Sequence, residues 1–244
     1  MTGFPETRGS LVAAMKSGDR RERTRALETL AGAYWRPIYT YVRLRYRRSH
    51  DEAADLTQDL FLRLSEDPLL ERFDPEKARL RTYLRVLVDG LALNDVKAAH
   101  RLKRGGGGPV LSLDFDAVRR EVDERERAAD LSPEDLFEKE WVRSVFSLAV
   151  ERLRARCETS SSATRFELFS AYDLEGDAGG PGERPTYEAL ARRFGTTSVD
   201  VTNQLAAARR DFRAIVLDVL RELTVSDAEF RLEARALLGV EAVP

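Results

Sequence analysis

A predicted helix in the last quarter of the 244-residue chain carries two amide and three guanidinium side chains at its outward positions. Amides can form paired hydrogen bonds with base edges, and guanidiniums can hold phosphate oxygens. This combination of side chains is typical of a surface that binds DNA. The residues concerned are Asn203, Gln204, Arg209, Arg210 and Arg213.

Two short amphipathic helices are predicted to position these side chains. The first is indicated by apolar residues at helical spacing, which are Tyr187, Leu190, Ala191 and Phe194. Gly195 should end it, because a residue without Cβ adopts the left-handed conformation at low cost. Thr197 and Asp200 predict a capping box that opens the second helix. The apolar residues of that helix are Val201, Leu205, Ala208 and Phe212.

Residues 186–213 therefore have the outline of a helix-turn-helix. A helical hairpin that only packs against its neighbours gives the same pattern, so the residues alone leave both interpretations open.

The composition favours an all-α protein without an enzymatic site. Charged residues make up 34% of the chain and hydrophobic residues 43%, and the apolar spacing is mostly helical. The formal net charge is −2, so a nucleic-acid-binding surface must be local. Cys157 is the only cysteine and there are two histidines, which makes a zinc site or a Cys–His pair unexpected. We therefore expect no enzyme, no metal and no other cofactor.

The sequence also predicts a cytoplasmic protein that does not contact a membrane. No apolar run approaches membrane-spanning length, and the first ten residues lack the apolar core of a signal peptide. A single cysteine cannot form an internal disulfide, which suits a reducing compartment.

Three long helices are predicted in the first half of the chain. One begins near Arg20, and Pro37 should break or kink it. The second spans residues 51–66, and the third runs from Leu80 to about Arg104, after a proline-broken loop over residues 67–77. The third helix is rich in cations near its end, which the helix dipole alone could explain.

One face of the second helix has a composition that indicates a protein-docking surface. It combines two acids, an amide and an outward leucine at helical spacing, where a merely solvated face would show balanced Glu–Lys pairs. We call this set the docking face, and its residues are Asp55, Gln58, Asp59 and Leu62.

A glycine run, Gly105–Gly108, marks the clearest domain boundary. The segment from 114 to 135 carries nine acids against four arginines, and we expect it to be mobile with helix in its middle. The predicted organisation is a tail with a short helix over residues 1–19, a helical domain over 20–104, a linker over 105–131, a second helical domain over 132–225 and a C-terminal helix within 226–244.

With both halves considered, the chain resembles the extracytoplasmic-function (ECF) branch of the sigma-70 family of bacterial RNA polymerase sigma factors. Successive parts of sigma region 2 resemble YWRPIYTYVR, DEAADLTQDLFLRL and FDPEKARLRTYLRVLVDGLALND. The region 4 helix-turn-helix resembles TYEALARRFGTTSVDVTNQLAAARRDFR, and a glycine-rich end of region 2, found in a subset of these factors, resembles LKRGGGG followed by LSLDFD. The fold implied is two helical domains joined by a flexible acidic linker.

This resemblance implies a protein that binds core RNA polymerase, recognises promoter −10 and −35 elements and enables transcription initiation. The docking face would bind the clamp helices of the polymerase β′ subunit, and the β flap and an anti-sigma factor are further partners that it allows. The loop Glu71–Lys77 would take a flipped base of the −10 element, with Phe73 either part of that site or the hydrophobic anchor of the loop. The residues implied for the −10 element and its flanking DNA are Phe73, Asp74, Lys77, Arg81, Arg85, Lys97 and Arg101. Those implied for the −35 element are Thr197, Ser198, Asn203, Gln204, Arg209, Arg210 and Arg213.

The recognition helix departs from the family pattern. Thr202, Ala206 and Ala207 stand where members usually have a lysine and a basic pair. With fewer cations, we expect weaker phosphate contacts from this helix.

Two functions of other classes fit the same residues. One is a stand-alone helix-turn-helix regulator that binds an operator as a dimer, with residues 1–104 as a sensor or dimerisation domain. The other is an adaptor, such as an anti-sigma antagonist, that binds proteins and no DNA. Binding to core polymerase distinguishes them, because a sigma factor binds core enzyme as a monomer.

Overall fold

The computed structural model describes residues 11–15, 17, 19–66, 69–98, 113–128, 131–159, 162–175 and 184–239. Every regular element within these residues is helical, which confirms the all-α class for the described part of the chain. A 3-10 helix spans Leu69–Arg72 and a π-helical turn spans Ser170–Leu174. The α-helices are α1 (Leu11–Met15), α2 (Arg20–Tyr46), α3 (His50–Glu66), α4 (Leu80–Ala98), α5 (Phe115–Ala128), α6 (Pro133–Thr159), α7 (Ala163–Phe169), α8 (Tyr187–Phe194), α9 (Ser198–Leu223) and α10 (Asp227–Leu238).

Helix ends follow the local sequence closely. The Thr197 hydroxyl accepts a hydrogen bond from the backbone N–H of Asp200 and donates one to its carboxylate, which confirms the predicted capping box. Gly195 follows α8 at φ 63°, in the left-handed conformation that the sequence predicts. Ser226 caps α10 by accepting from the N–H of Glu229, as expected.

The chain divides into two compact units. The first contains the described residues up to Val145 and those from Leu220 onward, and the second is Phe146–Val219. The boundaries fall within α6 and within α9. The glycine run that the sequence marks as a boundary lies outside the described residues, so the predicted domain limits stay a prediction.

In the first unit, α2 is the central helix. It packs against α3, α4 and α5, and α3 packs against α4. The fully buried side chains include Leu30, Ile38, Leu60 and Leu84, one or more from each of α2, α3 and α4. Burying one such aliphatic side chain contributes about 1.5–3 kcal/mol to folding, so this core fixes the three long helices predicted in the first half.

Pro37 lies inside α2, and the helix continues through it to Tyr46. Proline removes one backbone donor and crowds the carbonyl four residues before it, which is why a break or kink was expected. Pro37 is buried, and so are Tyr34 on the turn before it and Ile38 directly after it. Apolar burial along this stretch of α2 offsets the lost hydrogen bond.

The acidic segment expected to be mobile contains α5, which packs on α2. Phe115, Val118 and Val122 are buried, and the ring of Phe115 lies edge-on to Trp35 with 5.3 Å between centroids. The predicted helix in the middle of this segment is therefore present. Its acids also pair with cations of α2, since Asp123 accepts a hydrogen bond from Arg43. Periodicity alone did not indicate a partner for this helix.

The second unit surrounds the aromatic ring of Phe212 on α9. Phe146 stacks on it at 6.1 Å between centroids, and Phe169 of α7 contacts it at 5.3 Å. The apolar stripes of the predicted helix-turn-helix are partly or fully buried, with Leu190, Val201, Leu205 and Ala208 completely so. This packing holds α8 and α9 in the tight turn that the sequence predicts.

Candidate protein-docking and nucleic-acid interfaces

The docking face lies on the accessible side of α3. Asp55 and Gln58 are exposed, while Asp59 and Leu62 are half-buried. Asp59 pairs with Arg63 one turn later at 2.8 Å, an exposed pair of the kind that contributes little stability. No ion pair involving Asp55 is present among the described residues. The four side chains therefore form one acidic face with an apolar edge, opposite the buried stripe of Ala53, Leu56, Leu60 and Leu64.

The loop between the 3-10 helix and α4 is ordered by its own polar groups. The Asp74 carboxylate accepts a hydrogen bond from the N–H of Glu76 and pairs with Lys77 at 2.8 Å. The Lys77 ammonium is the foremost cause of a lowered pKa at Asp74. The backbone N–H groups of Lys77 and Ala78 both bond the Asp74 carbonyl. This turn presents a fixed set of polar groups to solvent.

Phe73 anchors this loop to α4. It is buried, and its ring lies 5.2 Å from that of Tyr83 on α4. The Tyr83 hydroxyl donates a hydrogen bond to the backbone carbonyl of Leu69, which ties the start of the loop to the same helix. Tyr83 was not among the predicted site residues. Phe73 therefore positions the loop and has little surface left for stacking on a base.

Arg81 and Arg85, two cations of α4 that were predicted to contact DNA, have intramolecular partners. Arg81 is buried, pairs with Glu138 at 2.9 Å and Glu233 at 2.8 Å, and lies over the ring of Trp141. Arg85 is half-buried, with its guanidinium 5.8 Å from the centre of the Phe137 ring. In this arrangement neither guanidinium presents its full set of donors to solvent.

The remaining predicted cations of this region are Lys97 and Arg101. The backbone of Lys97 belongs to α4, and Arg101 lies outside the described residues. On the described part of α4, the exposed positions include Val86, Gly90, Leu93 and Asn94. They share one side of the helix, and two of them are large apolar residues.

In the second unit, α9 exposes one continuous stripe. Its residues alternate by four and three positions, which keeps them on one side of a helix. We call it the recognition stripe, and it consists of Val199, Asn203, Ala206, Arg210 and Arg213. No ion pair of Arg210 or Arg213 is found within the described residues. The stripe therefore offers an amide near the helix N-terminus and, further along, two guanidiniums that form no ion pair with the described part of the chain.

Gln204 and Arg209 lie beside this stripe and are held by neighbouring elements. The Gln204 side-chain oxygen accepts a hydrogen bond from Arg165 of α7 at 2.9 Å. Arg209 forms a forked pair with the carboxylate of Asp173, at 3.0 and 2.9 Å, and its guanidinium lies 5.3 Å from the Tyr172 ring centre. Asp173 is also the first cause of the raised pKa of Arg209. Both residues thus connect α9 to the elements around it.

Thr197 directly precedes α9, and Ser198 is the first residue of that helix. The Thr197 hydroxyl is engaged in the capping box with Asp200. The Ser198 carbonyl accepts a hydrogen bond from the Thr202 hydroxyl, one turn along α9. The two residues therefore shape the helix N-terminus from which the recognition stripe begins.

Two exposed arginines at the end of α8 were not predicted as site residues. Arg192 and Arg193 stand in the last turn of that helix, and Arg193 lies over the ring of Phe194. In helix-turn-helix proteins the first helix crosses the DNA backbone, where cations meet phosphates. The adjacent basic pair in the sequence was the signal that could have identified them.

Neither a metal site nor a reactive thiol is found among the described residues. No group of three or more histidine, cysteine, aspartate or glutamate side chains there could hold a metal ion. Burial raises the pKa of the Cys157 thiol, which disfavours the reactive thiolate. Among the described helices, none has the length and apolar character needed to cross a membrane.

Comparison with known proteins identifies the segment that contains the docking face. Residues 30–102 match the family model of sigma-70 region 2, a segment that runs from α2 through α3 and the Asp74 loop to α4. No curated protein and no solved structure gives a significant match. Residues 30–102 are therefore similar to region 2 of the sigma-70 family of RNA polymerase sigma factors, a family that acts in transcription initiation.

Proposed function

We propose that this protein is a sigma factor of the ECF branch, which binds core RNA polymerase and directs it to promoters through −10 and −35 elements. The observation that carries the proposal is the region 2 match over residues 30–102. The helix-turn-helix outline of α8 and α9, with its exposed amide and guanidiniums, supports a second DNA contact.

The docking face is the proposed contact with the clamp helices of the polymerase β′ subunit. Asp55 supplies an exposed carboxylate, and Leu62 supplies apolar area at the edge. A surface that combines charge with a partly buried leucine can steer a partner electrostatically and then exclude water. The pair between Asp59 and Arg63 is exposed and weak enough to exchange for an intermolecular one.

The Asp74 loop is the proposed site for a flipped base of the −10 element. Its turn is fixed by the contact of Phe73 with Tyr83 and by the hydrogen bonds of Asp74, so its polar groups are positioned before DNA binds. A base extruded from the duplex is recognised by hydrogen bonds to its edge, and such a preset loop lowers the entropic cost of binding it. Lys77, which is highly exposed, is the proposed phosphate contact.

The recognition stripe is the proposed contact with the −35 element. Asn203 lies near the helix N-terminus, the end that enters the major groove in helix-turn-helix proteins. Arg210 and Arg213 are proposed to meet phosphates, together with Arg192 and Arg193 of α8. These cations compensate for the family positions held here by Thr202, Ala206 and Ala207.

The remaining features of the proposal follow the resemblance. They are a two-domain arrangement with an acidic linker, a cytoplasmic location, a contact of the second domain with the β flap, and control by an anti-sigma factor. The β-flap contact and the anti-sigma factor are each testable by pull-down with the purified chain.

Association with core enzyme tests the proposal. The purified protein is mixed with core RNA polymerase that lacks a sigma subunit and is separated by size-exclusion chromatography. We expect one copy of the chain to elute with each core enzyme. A chain that elutes only as a homodimer, and binds DNA without core enzyme, would instead be a stand-alone regulator.

A further inference from the structure

The last described helix, α10, buries a glutamate against the start of α4. The Glu233 side chain is only 6% exposed, and its Oε1 lies 2.9 Å from Arg79 Nη1 and 2.8 Å from Arg81 Nη1. A carboxylate at this depth is unfavourable unless cations pair with it. The two arginines are therefore the reason that α10 can place an acid on its buried side.

Arg81 is enclosed on its other sides as well. Its Nε lies 2.9 Å from Glu138 of α6, and its guanidinium lies 4.5 Å from the centre of the Trp141 ring. The Arg81 side chain is 9% exposed as a result. While Glu233 is in place, Arg81 has almost no surface for another ligand.

Arg79 shares the same carboxylate but remains partly accessible, with 44% of its side chain exposed. Carboxylate and phosphate oxygens accept the same charge-assisted hydrogen bonds from a guanidinium. Both arginines follow directly after the loop of Asp74 and Lys77, where the function proposed above places promoter DNA. The position that Glu233 fills is thus an anion site beside the DNA path.

We propose that Arg79 and Arg81 form a binding site for a nucleic-acid phosphate at the start of α4, and that α10 blocks this site through Glu233. DNA binding by the first unit then requires displacement of α10. The inference rests on the proposed function, because it assumes that promoter DNA passes the Asp74 loop.

The contacts that hold α10 against the first unit are few enough for the helix to detach. The helix has 12 residues, a length that is marginal in water without tertiary contacts. Apart from Glu233, its buried residues are Phe230 and Ala234, and Arg221 lies over the Phe230 ring at 4.6 Å. Burial raises the pKa of Glu229, while the hydrogen bond from the Val225 N–H and the Arg81 guanidinium lower it. The buried residues that hold α10 in place are therefore limited to Phe230, Glu233 and Ala234.

The test compares two variants that each remove one negative charge from α10. Glu233→Gln keeps the side-chain shape and removes the charge that holds the arginines. Asp227→Asn removes an exposed charge at the first position of the same helix. Binding of the full chain to a fluorescently labelled DNA duplex of mixed sequence is measured by anisotropy at several salt concentrations.

We expect Glu233→Gln to bind DNA more tightly than the parent and to show a steeper salt dependence, by roughly one unit of log–log slope for each phosphate gained. Asp227→Asn should keep the parent slope. The double variant Glu233→Gln with Arg79→Gln should lose part of the gain. Equal affinities and slopes for Glu233→Gln and Asp227→Asn would overturn the proposal.

A second measurement on the unaltered chain covers the case in which Glu233→Gln does not fold. Hydrogen exchange of the α10 amides, residues 227–238, is compared between the protein bound to core polymerase alone and the same complex on promoter DNA. Faster exchange with DNA supports displacement of α10, and unchanged or slower exchange overturns it. Core binding without this change would sink the inference about α10 and leave the proposed function standing, whereas absence of core binding would sink the proposed function.

Discussion

The side-chain oxygen of Gln204 accepts a hydrogen bond from the guanidinium of Arg165 at 2.9 Å, so this amide is tied to α7. Its neighbour Asn203 is exposed, and no hydrogen bond of its side chain is found among the described residues. The two adjacent amides, equivalent in the sequence, therefore have different surroundings. Asn203 is the better candidate for a base contact.

Substitution of the two amides should separate recognition from stability. Asn203→Ala should change which −35 sequence is preferred, because a bidentate amide–adenine pair discriminates bases by about 1–3 kcal/mol. Gln204→Ala should keep the preference and lower the unfolding free energy by roughly 1.5–3 kcal/mol, the typical contribution of a hydrogen bond to a charged group. Competition binding with sequence variants and thermal unfolding measure the two effects. If only Gln204→Ala changed the preferred −35 sequence, Gln204 and not Asn203 would be the amide that contacts a base.

Two adjacent arginines on α9 should also behave differently. Arg210 is exposed, so Arg210→Ala should weaken binding to all DNA sequences and reduce the log–log salt slope by about 1. Arg209 is held by Asp173 and Tyr172, so Arg209→Ala should chiefly destabilise the second unit. Anisotropy titrations at several salt concentrations, with unfolding curves for both variants, provide the comparison. Equal salt slopes for Arg210→Ala and the parent would exclude a phosphate contact at Arg210.

Charge reversal on the docking face should weaken binding to core polymerase. Asp55→Arg and Asp59→Arg each change an acid on this face without altering the buried stripe, and we expect a loss of about tenfold or more in affinity. Glu28→Arg is the matched control, because Glu28 is an exposed acid of α2 outside the docking face. Pull-down with immobilised core enzyme measures the affinities, and circular dichroism verifies folding. Retained affinity in both docking-face variants would remove that face from the interface.

Two tyrosines of the first unit, Tyr41 and Tyr46, should ionise only at high pH. Asp89 of α4 accepts hydrogen bonds from the hydroxyls of Tyr41 and Tyr46 on α2, at 3.0 and 2.7 Å. Burial, followed by the charge of Asp89, raises the pKa of Tyr41 to about 12. An unfolded tyrosine ionises near pH 10. The raised pKa of Tyr41 therefore contributes stability to the folded state that is complete below pH 10 and is lost as the pH rises toward the folded pKa.

Asp89→Asn should therefore lower the pKa of Tyr41 while burial keeps it above the ordinary value. Phenolate absorbance during alkaline titration measures the shift, and a tyrosine that titrates as in the parent would show that Asp89 has no influence. Asp55→Asn, a charge loss on another helix, should leave the titration unchanged.

Local features of the fold were predictable from the sequence, because they depend on residues one turn apart. The caps at Thr197 and Ser226, the glycine that ends α8, and the apolar stripes of α3 and α9 are all present as expected. Helical periodicity also identified the exposed acidic face of α3.

The surroundings of several candidate site residues were not predictable, because their partners lie far along the chain. Arg79 and Glu233 are 154 residues apart, and Arg165 and Gln204 are 39 apart. A cation with a distant buried partner looks the same in the sequence as a cation that faces solvent. The burial of Arg81, and the packing of α5 on α2, depend on such distant contacts and required the structure.

Run-off transcription tests the central claim most directly. Core RNA polymerase without a sigma subunit is combined with the purified chain and fragmented genomic DNA from the source of the protein, and transcripts are mapped to their start sites. We expect discrete transcripts that require the chain and that Asp55→Arg strongly reduces while Glu28→Arg does not. Transcription that is the same with and without the chain, from a core preparation that responds to a known sigma factor, would contradict the assignment as a sigma factor.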